Sequence, residues 1–511
     1  MNKLVKNTTI VMAATILGKL SGFLREVVLA GKYGTSPVSD AFVIAYNIPN
    51  ILLSSIAGAI AIIFIPMYTK LASEDKTAAQ KMVNNLVTIL VAFGAVLSLL
   101  FWLFPQIVVR IFAVGFQGET FVLTVSLIKT MIWSLVPILL INLFSSYLQI
   151  NGRFLLPGSY STIINTCVIV AFFLSSADYT SPLGFGMLFG FWAAALALIV
   201  QSAKQGFHYK PSFHLDENVK QVFSLFIPVF LSNTVVQISK IFDRNFASVL
   251  GEGTVSALNY ASKLQEFISA VFIVSVATVV FPEISKLDKI RDTATLKGYI
   301  SKSLNAISLI VVPITIGTIV LSEPLVKILF MRGAFDDAAV KLTSESLSFY
   351  AIGLLAIGYN MILSRAFYAL QDTKTPAINS AIAMMLDILL NFLLLKPMAH
   401  KGLALSTSIS GIVTTVFLLF SLRKKLGSLG LRFLLSELTK IIVSAISMGV
   451  VVSAVFLKVS VSFSLDSFIS NALVILLCVG IGAAEYIIML FLFRVKLIQD
   501  TTQTLLIKMK K

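Results

Sequence analysis

Long, continuous apolar stretches constrain the fold of this chain more than any other feature. The 511 residues are 57% hydrophobic and 13% charged, whereas soluble globular chains carry roughly 25% charged residues. Lipid offers the backbone no hydrogen-bond partners, so only helices and closed barrels span a bilayer. Barrel strands alternate apolar and polar residues, but here the apolar runs are continuous over about 20 residues. The sequence therefore predicts an all-α polytopic membrane protein.

Fourteen spans are predicted, each to within a few residues. They are 8–31, 38–68, 82–104, 120–150, 156–176, 183–203, 222–248, 254–284, 299–321, 342–369, 376–396, 401–422, 436–457 and 467–494. Of the Lys and Arg residues outside them, 24 fall in one set of alternating segments and 8 in the other. Under the positive-inside rule this bias places both termini in the cytoplasm. It also explains the net charge of +16, so we expect no nucleic-acid partner.

A weak internal repeat divides the chain. The segment 66–71 (PMYTKL) recurs as 282–287 (PEISKL), and Asp40 stands opposite Ser256 at the same offset. Two further echoes follow in order, at nearly that offset. The period covers six spans, an even number, so the halves are parallel repeats, as in many alternating-access transporters. We predict an N-lobe (1–215), a C-lobe (216–424) and a C-terminal segment (425–511) with two further helices and a basic tail.

Eight cationic side chains fall inside the predicted spans, where each costs at least ~2.5–3.5 kcal/mol. They are Lys19, Arg25, Lys129, Lys240, Arg244, Lys263, Arg365 and Lys440. Such an excess predicts a polar cavity for an anionic ligand. Lys129 and Arg365 also fit snorkelling to the interface, which for Lys440 is the favoured interpretation. We interpret Lys129, Lys240 and Lys440 as structural or interfacial.

The intramembrane charges concentrate at the start of each lobe. The first group is Lys19, Arg25, Glu26 and Asp40; the second is Lys240, Asp243, Arg244, Lys263 and Glu266. Two interpretations stay open for the adjacent pairs Arg25–Glu26 and Asp243–Arg244: they face the cavity, or they neutralise each other as structural pairs. Lys19 and Lys263 have no adjacent acid, and a cavity role is favoured for both.

A second polar group lies on predicted helices 11 and 12. Asp387 and Asn391 are four residues apart and share a helix face, and Leu403 and Thr407 repeat that spacing. With Asp243 and a backbone carbonyl, these oxygens would suit a hard cation such as Na⁺. The alternative is a hydrogen-bonded interhelical polar pair, which the sequence alone favours slightly.

The sequence contains no Walker A loop, zinc-ligand spacing or nucleophile elbow. We therefore expect a transporter rather than an enzyme, with no cofactor apart from a possible Na⁺ coupling ion. Uphill transport would draw on an ion gradient or on the membrane potential.

Six stretches resemble the MurJ/MviN family of lipid II flippases, within the exporter superfamily that also contains the MATE drug exporters. They are GKLSGFLRE (18–26), SDAF (39–42), IPN (48–50), SALNYA (256–261), RGAFD (332–336) and RAFYALQDT (365–373). The resemblance implies a monomer in the bacterial inner membrane that flips undecaprenyl-pyrophosphate-linked peptidoglycan precursor. Helices 13 and 14 would supply an apolar groove for its tail.

The resemblance also implies site residues. The family's cavity cations map onto Lys19, Arg25 and Lys263, and its acid at the start of helix 2 maps onto Asp40. We add Glu26, Glu266, Arg244 and Arg365 as candidate headgroup contacts. Sodium-binding members use helices 7, 11 and 12, which supports Asp243, Asp387, Asn391 and Thr407. Many members carry arginines just after the Pro-Asn bend, where this chain has Leu53, Ser54 and Ser55.

Three other functions remain open from the sequence. A flippase for another lipid-linked glycan, such as a teichoic precursor, would need a similar cavity. A drug:cation antiporter is less favoured, because its cavity should be acidic. A scaffold for envelope enzymes would not depend on Arg25.

Overall fold

The computed structural model describes residues 3–213, 226, 230, 234, 237–273, 293–462 and 468–499. Over these residues the regular structure is entirely helical. The helices are α1 Lys3–Tyr33, α2 Pro37–Glu74, α3 Lys76–Leu103, α4 Pro105–Phe112, α5 Gly118–Met131, α6 Leu135–Ile150, α7 Leu155–Leu174, α8 Ser181–Ala203, α9 237–249, α10 Thr254–Ile268, α11 Thr293–Val320, α12 Ser322–Phe330, α13 Asp337–Ile352, α14 Leu354–Ala369, α15 Lys374–Leu426, α16 Leu431–Ser462 and α17 Phe468–Leu492. Each predicted span overlaps at least one of them.

Within the described ranges, nine helices are long and apolar enough to cross a membrane. The number is ten if α13 and α14, which meet at a bend of 40°, form one span. The prediction of a polytopic helical membrane protein is confirmed at this level. Parts of predicted helices 7 and 8, and the repeat segment 282–287, lie outside the described residues.

The helix α15 corresponds to two predicted spans, 376–396 and 401–422. Its backbone breaks at Ala399, where φ is 49° and ψ is −130°. The Ser406 hydroxyl on the second half donates a hydrogen bond to the Asn391 amide oxygen on the first. In a straight helix these residues would lie about 22 Å apart along the axis. The two halves therefore fold back on each other, as two spans do.

The predicted fourth and tenth spans each consist of two α-helices. The first consists of α5 and α6 joined by a 3₁₀ turn at Ile132–Ser134, and the second of α13 and α14 joined at Gly353. The short helix α4 was not predicted, because eight residues are too few to give a span-like apolar run. Helix α12 is similarly short, with nine residues.

Helix boundaries recur along the chain and support the internal duplication. Helices α3 and α11 both have 28 residues, and they begin at positions 76 and 293. Helices α4 and α12 begin at positions 105 and 322, which is the same offset. Helices α6 and α14, each of 16 residues, begin at positions 135 and 354, and so keep nearly that offset.

The three-part division at 215 and 424 stays a prediction. The described chain forms two compact units by its internal packing. The first unit is Met1–Ser256 with Arg332–Phe335, and the second is Ala257–Met331 with Asp336–Lys511.

Close helix packing in the first unit depends on small residues, as is common between membrane helices. A Cβ atom at Gly186 on α8 would lie 2.2 Å from the Ala171 Cβ on α7. By contrast, a Cβ atom at Gly480 on α17 would meet no atom within 4 Å.

We therefore expect Gly186→Leu to lower the stability of the purified protein by about 1–3 kcal/mol, because the larger side chain forces α7 and α8 apart. Thermal unfolding in detergent measures the change. Gly480→Leu is the matched control and should leave the midpoint nearly unchanged. Equal midpoints for the two variants would contradict the α7–α8 packing.

Candidate functional site

Arg25 is a cation of the first unit that contacts three other side chains. The residue is only 7% exposed. It forms an ion pair with Glu26, donates from Nη1 to Asn165 Oδ1 at 3.1 Å, and places its guanidinium 4.1 Å from the centre of the Tyr46 ring. The charge is thus neutralised inside the unit. In this conformation Arg25 and Glu26 therefore neutralise each other as a buried pair.

The position of Arg25 depends on the contact between α1 and α7. A Cβ atom at Gly18 would lie 2.3 Å from Ser161 Oγ, so a larger residue there would push the helices apart. Asn165 on α7 also donates to Ser21 Oγ at 3.0 Å. Sequence reasoning missed Asn165, although a lone amide within the apolar run 156–176 and the spacing of Gly18 and Gly22 were available signals.

Lys19 contrasts with Arg25 on the same helix. Its side chain is exposed, and within the described residues it forms no ion pair. Lys129 on α5 is likewise exposed. Lys19 is therefore an exposed cation in a predicted membrane span.

Asp40 is completely buried at the start of α2. Its Oδ2 accepts the Gly253 N–H at 2.7 Å, and its Oδ1 accepts the Ser256 N–H at 2.7 Å. These two groups belong to the unsatisfied N–H set at the beginning of α10. In this conformation Asp40 caps a helix, and its role as a headgroup contact stays a prediction.

Within the first unit, the loop after α4 binds the end of α9, and the loop after α12 binds the end of α1. After α4, Asn245 on α9 donates to the Ile111 carbonyl and accepts the Val114 N–H at 2.8 Å, and Gly115 N–H donates to Ser248 Oγ at 3.0 Å. After α12, the Ala334 N–H donates to the Gly31 carbonyl at the end of α1 at 2.9 Å.

Glycine is required where these loops touch the helices. Gly333 has a φ of +57°, and a Cβ atom there would lie 2.1 Å from the Gly31 oxygen. A Cβ atom at Gly115 would lie 2.4 Å from the Ser248 oxygen. The RGAF stretch of the sequence thus serves to dock a loop on α1.

In the second unit, Lys263 and Glu266 form an ion pair one turn apart on α10, at 2.8 Å. Their side chains are 32% and 65% exposed, so the pair is accessible. The neighbouring Gln265 donates to the Tyr350 carbonyl at 2.6 Å and ties α10 to the bend between α13 and α14. Sequence reasoning missed Gln265, whose role appears only from a contact that is distant in sequence.

The other predicted charged residues have interaction partners of their own. Asp243 and Arg244 on α9 and Arg365 on α14 are half-buried, and each has an interaction partner. Lys440 forms an ion pair with Glu437 at 2.7 Å. In the loop that follows Arg365, the Lys425 ammonium and the Thr375 hydroxyl bind Asp372 and lower the pKa of its carboxyl. The acid of the 365–373 stretch therefore ties a loop to the end of α15.

The structure brings four of the predicted sodium ligands onto the two halves of α15. Asp387, Asn391 and Leu403 are buried, and Thr407 is exposed. Thr407 Oγ1 donates to the Leu403 carbonyl at 3.2 Å. Ser406, which the sequence analysis missed, binds both this carbonyl, at 2.9 Å, and Asn391. The donor set is all oxygen and contains a buried carboxylate, which fits a hard cation.

Comparison with known proteins decides the family. The model of a family described as "Lipid II flippase MurJ" matches residues 29–475. The chain belongs to this family. A probable lipid II flippase MurJ of Thermotoga maritima is 30% identical over 81% of this chain and 84% of its own length. A MurJ homologue of Vibrio cholerae is 27% identical over 97% of both chains.

Solved structures agree with the family assignment. A lipid II flippase MurJ in an inward closed conformation matches with a TM-score of 0.81 and 26% identity, covering 96% of this chain and all of its own. An inward-facing MATE-family multidrug transporter matches with a TM-score of 0.67 at 13% identity, over 83% of this chain and 98% of its own, which shows a shared fold alone. Members of the MurJ family are flippases, so the predictions of a transporter and not an enzyme are confirmed.

The cap at Asp40 gives a direct stability prediction. We expect Asp40→Ala to lower stability by about 1–3 kcal/mol, because two buried N–H groups lose their acceptor. Asp40→Asn, which keeps one acceptor oxygen, should fall between this variant and the wild type. Thermal unfolding in detergent measures both.

Asp337→Ala is the control, since this acid also lies in the first turn of a helix but its side chain is 81% exposed. It should change stability by less than about 0.5 kcal/mol. An Asp40→Ala protein as stable as Asp337→Ala would argue against the capping role.

Proposed function

We propose that this chain moves lipid II, the undecaprenyl-pyrophosphate-linked peptidoglycan precursor, from the cytoplasmic to the outer leaflet of the bacterial inner membrane. It does so as a monomer with fourteen spans and both termini in the cytoplasm, by alternating access between its two repeats. Membership of the MurJ family is the observation that carries this proposal. The accessible intramembrane cations support it, because a pyrophosphate needs cationic partners.

Lys19 and Lys263 are the proposed first contacts of the pyrophosphate. Lys19 is exposed, and Lys263 is bound only through a partly exposed pair with Glu266 that an incoming anion can rearrange. Arg244 and Arg365 are further contacts. Arg25 and Glu26 hold α1 on α7 in the present conformation, and Arg25 becomes a headgroup contact only where that packing opens.

The contacts of the loop after α4 (111–116) with α9, and of the loop after α12 (332–335) with the end of α1, form the proposed outer gate. The N-in topology places the end of α1 and the start of α10 on the outer side. Asp40 and the two glycine contacts hold this side closed while the cytoplasmic side accepts the headgroup. The cycle then requires these few hydrogen bonds to break, which is a modest barrier, because each contributes about 0.5–1.5 kcal/mol.

Membrane potential, a sodium gradient or both reset the protein in this proposal. Asp387, Asn391, Leu403 and Thr407 are the proposed ligands of the ion.

The sodium site predicts ion-specific stabilisation, since a ligand that binds only the folded state raises the unfolding midpoint. We expect NaCl to raise the thermal midpoint of the wild type relative to KCl, and Asp387→Ala to abolish the difference. Glu345→Ala removes an acid already bound to His400 and Lys401, so it should retain the difference. A wild type indifferent to sodium would remove the site from the mechanism.

One observation favours a second candidate function. Where many relatives carry arginines, Leu53 and Ser55 are buried and the Ser54 hydroxyl donates to the Ile51 carbonyl at 3.1 Å. This region offers no cation to a pyrophosphate. A flippase for another lipid-linked glycan, with a different headgroup charge, is the alternative.

Complementation distinguishes the two functions. We expect the wild-type gene to restore growth to a strain depleted of its own lipid II flippase. Failure at normal membrane levels, with rescue of a strain lacking a teichoic or capsular precursor flippase, would favour the alternative.

Flipping assays on purified variants test Lys19. We expect Lys19→Gln to reduce lipid II flipping roughly 10- to 100-fold, because one charge-assisted contact of about 1.5–3 kcal/mol is lost. Lys129→Gln is the matched control: it removes another exposed intramembrane lysine and should retain flipping. Flipping in reconstituted vesicles gives the rate, and equal losses in both variants would contradict a specific role for Lys19.

A further inference from the structure

Asn165 carries the only side-chain amide of α7, and this amide joins two groups of α1. The residue is buried near the middle of its helix. Its Nδ2 donates to Ser21 Oγ at 3.0 Å, and its Oδ1 accepts from Arg25 Nη1 at 3.1 Å. Ser21 and Arg25 are four residues apart and share one face of α1. One amide therefore holds a cation and a hydroxyl of the neighbouring helix together.

The direction of this amide is fixed by Ser21. A hydroxyl has a single hydrogen, and Ser21 donates it to the Gly18 carbonyl at 2.8 Å. Only lone pairs remain for Asn165, so the amide turns its NH₂ group towards Ser21. Its oxygen then faces Arg25, whose guanidinium has donors and no acceptor. A reversed amide would lose both contacts.

The guanidinium of Arg25 is held from three sides. Nη1 donates to Asn165 and Nη2 donates to Glu26. The group also lies 4.1 Å from the centre of the Tyr46 ring, and this ring packs against Phe42 with their centres 5.5 Å apart. These contacts fix both the plane of the guanidinium and the direction of its fork.

One donor of Arg25 remains unused. Its Nε is inaccessible and has no hydrogen-bond partner in the part of the chain that the structure describes. A buried donor without an acceptor is unfavourable, so an oxygen that reaches it stabilises the protein more than one that meets a satisfied donor. The guanidinium is a rigid plane, so turning Nε towards a ligand moves Nη1 away from Asn165. A ligand oxygen therefore competes with the Asn165 oxygen.

We propose that Asn165 is a positioning residue that holds Arg25 in the present conformation and releases it when the headgroup binds. The hydrogen bond to Asn165 belongs to the present conformation alone. The affinity for the headgroup then depends on the contact that Arg25 gives up as well as on the contacts that it gains. This inference deepens the proposed function and rests on it, because it requires a headgroup that carries phosphate.

The variant Asn165→Ala distinguishes this role from a structural one. The present conformation loses one hydrogen bond to a charged group, so the thermal midpoint of the purified protein should fall. The headgroup-bound position has already given up that bond, so the apparent Kd for lipid II should decrease, roughly tenfold. A residue with a structural role alone would lose stability and affinity together. Native mass spectrometry of the full-length protein, titrated with lipid II, measures the Kd.

The variant Asn142→Ala is the matched control, because this half-buried amide on α6 donates to the Ile138 carbonyl of its own helix at 2.8 Å. It should leave the Kd unchanged. Ser21→Ala removes the acceptor that orients the Asn165 amide, so it should lower the Kd in the same direction but by less.

An unchanged or raised Kd in Asn165→Ala would overturn the proposal. If that variant does not fold, an unchanged or raised Kd in Ser21→Ala overturns it instead. A wild type that binds no lipid II would remove the proposed function itself, and this role of Asn165 with it. The two failures are therefore distinguished by the wild-type titration.

Discussion

Hydrogen bonding inside the lipid governs this structure. An unsatisfied backbone group in a bilayer costs several kcal/mol, so each interruption of a helix needs a partner from a neighbouring helix. At the turn between α5 and α6, Ser98 on α3 donates to the Ile132 carbonyl at 3.1 Å. At the bend between α13 and α14, Ser408 donates to the Phe349 carbonyl at 2.7 Å. A neighbouring helix therefore stabilises both interruptions, and each uses a serine hydroxyl as the donor.

The helices could be predicted from sequence because hydropathy acts locally. The break at Ala399 is an example: Pro397 and the charged residues near it interrupt the apolar run, so the sequence predicted two spans where the backbone is almost continuous. The short helix α4 could not be predicted in this way. Its eight residues are stabilised by packing against α3 and α5, which hydropathy does not report.

The roles of the charged residues were harder to predict, because their partners are distant in sequence. Adjacent Glu26 was a visible partner for Arg25, but Asn165 lies 140 residues away. Asp40 was assigned to the headgroup from the family resemblance, and its hydrogen-bond partners, Gly253 and Ser256, lie 213 and 216 residues away. For Lys19 a cavity role was favoured because no acid stands next to it; its side chain is exposed, and the cavity role stays a prediction.

The cap at Asp40 also shows how the repeats have diverged. At the start of α2, Ser36 and Ser39 form a capping box, and Ser39 Oγ donates to the Ser36 carbonyl at 2.9 Å. At the start of α10, Ser256 Oγ donates to the Gly253 carbonyl at 3.1 Å in the same way. The hydrogen bonds therefore align Ser256 with Ser39, one position before the Asp40 that the sequence pattern placed opposite it.

Gly253 occupies the position of Ser36 and has no side chain to complete the box. Asp40 supplies the missing acceptor from the other repeat. A cap within one helix is indifferent to the motion of its neighbours, but a cap supplied by another repeat is broken when the repeats separate. This single substitution of a local cap by a distant one gives the proposed outer gate an interaction that depends on its closed state.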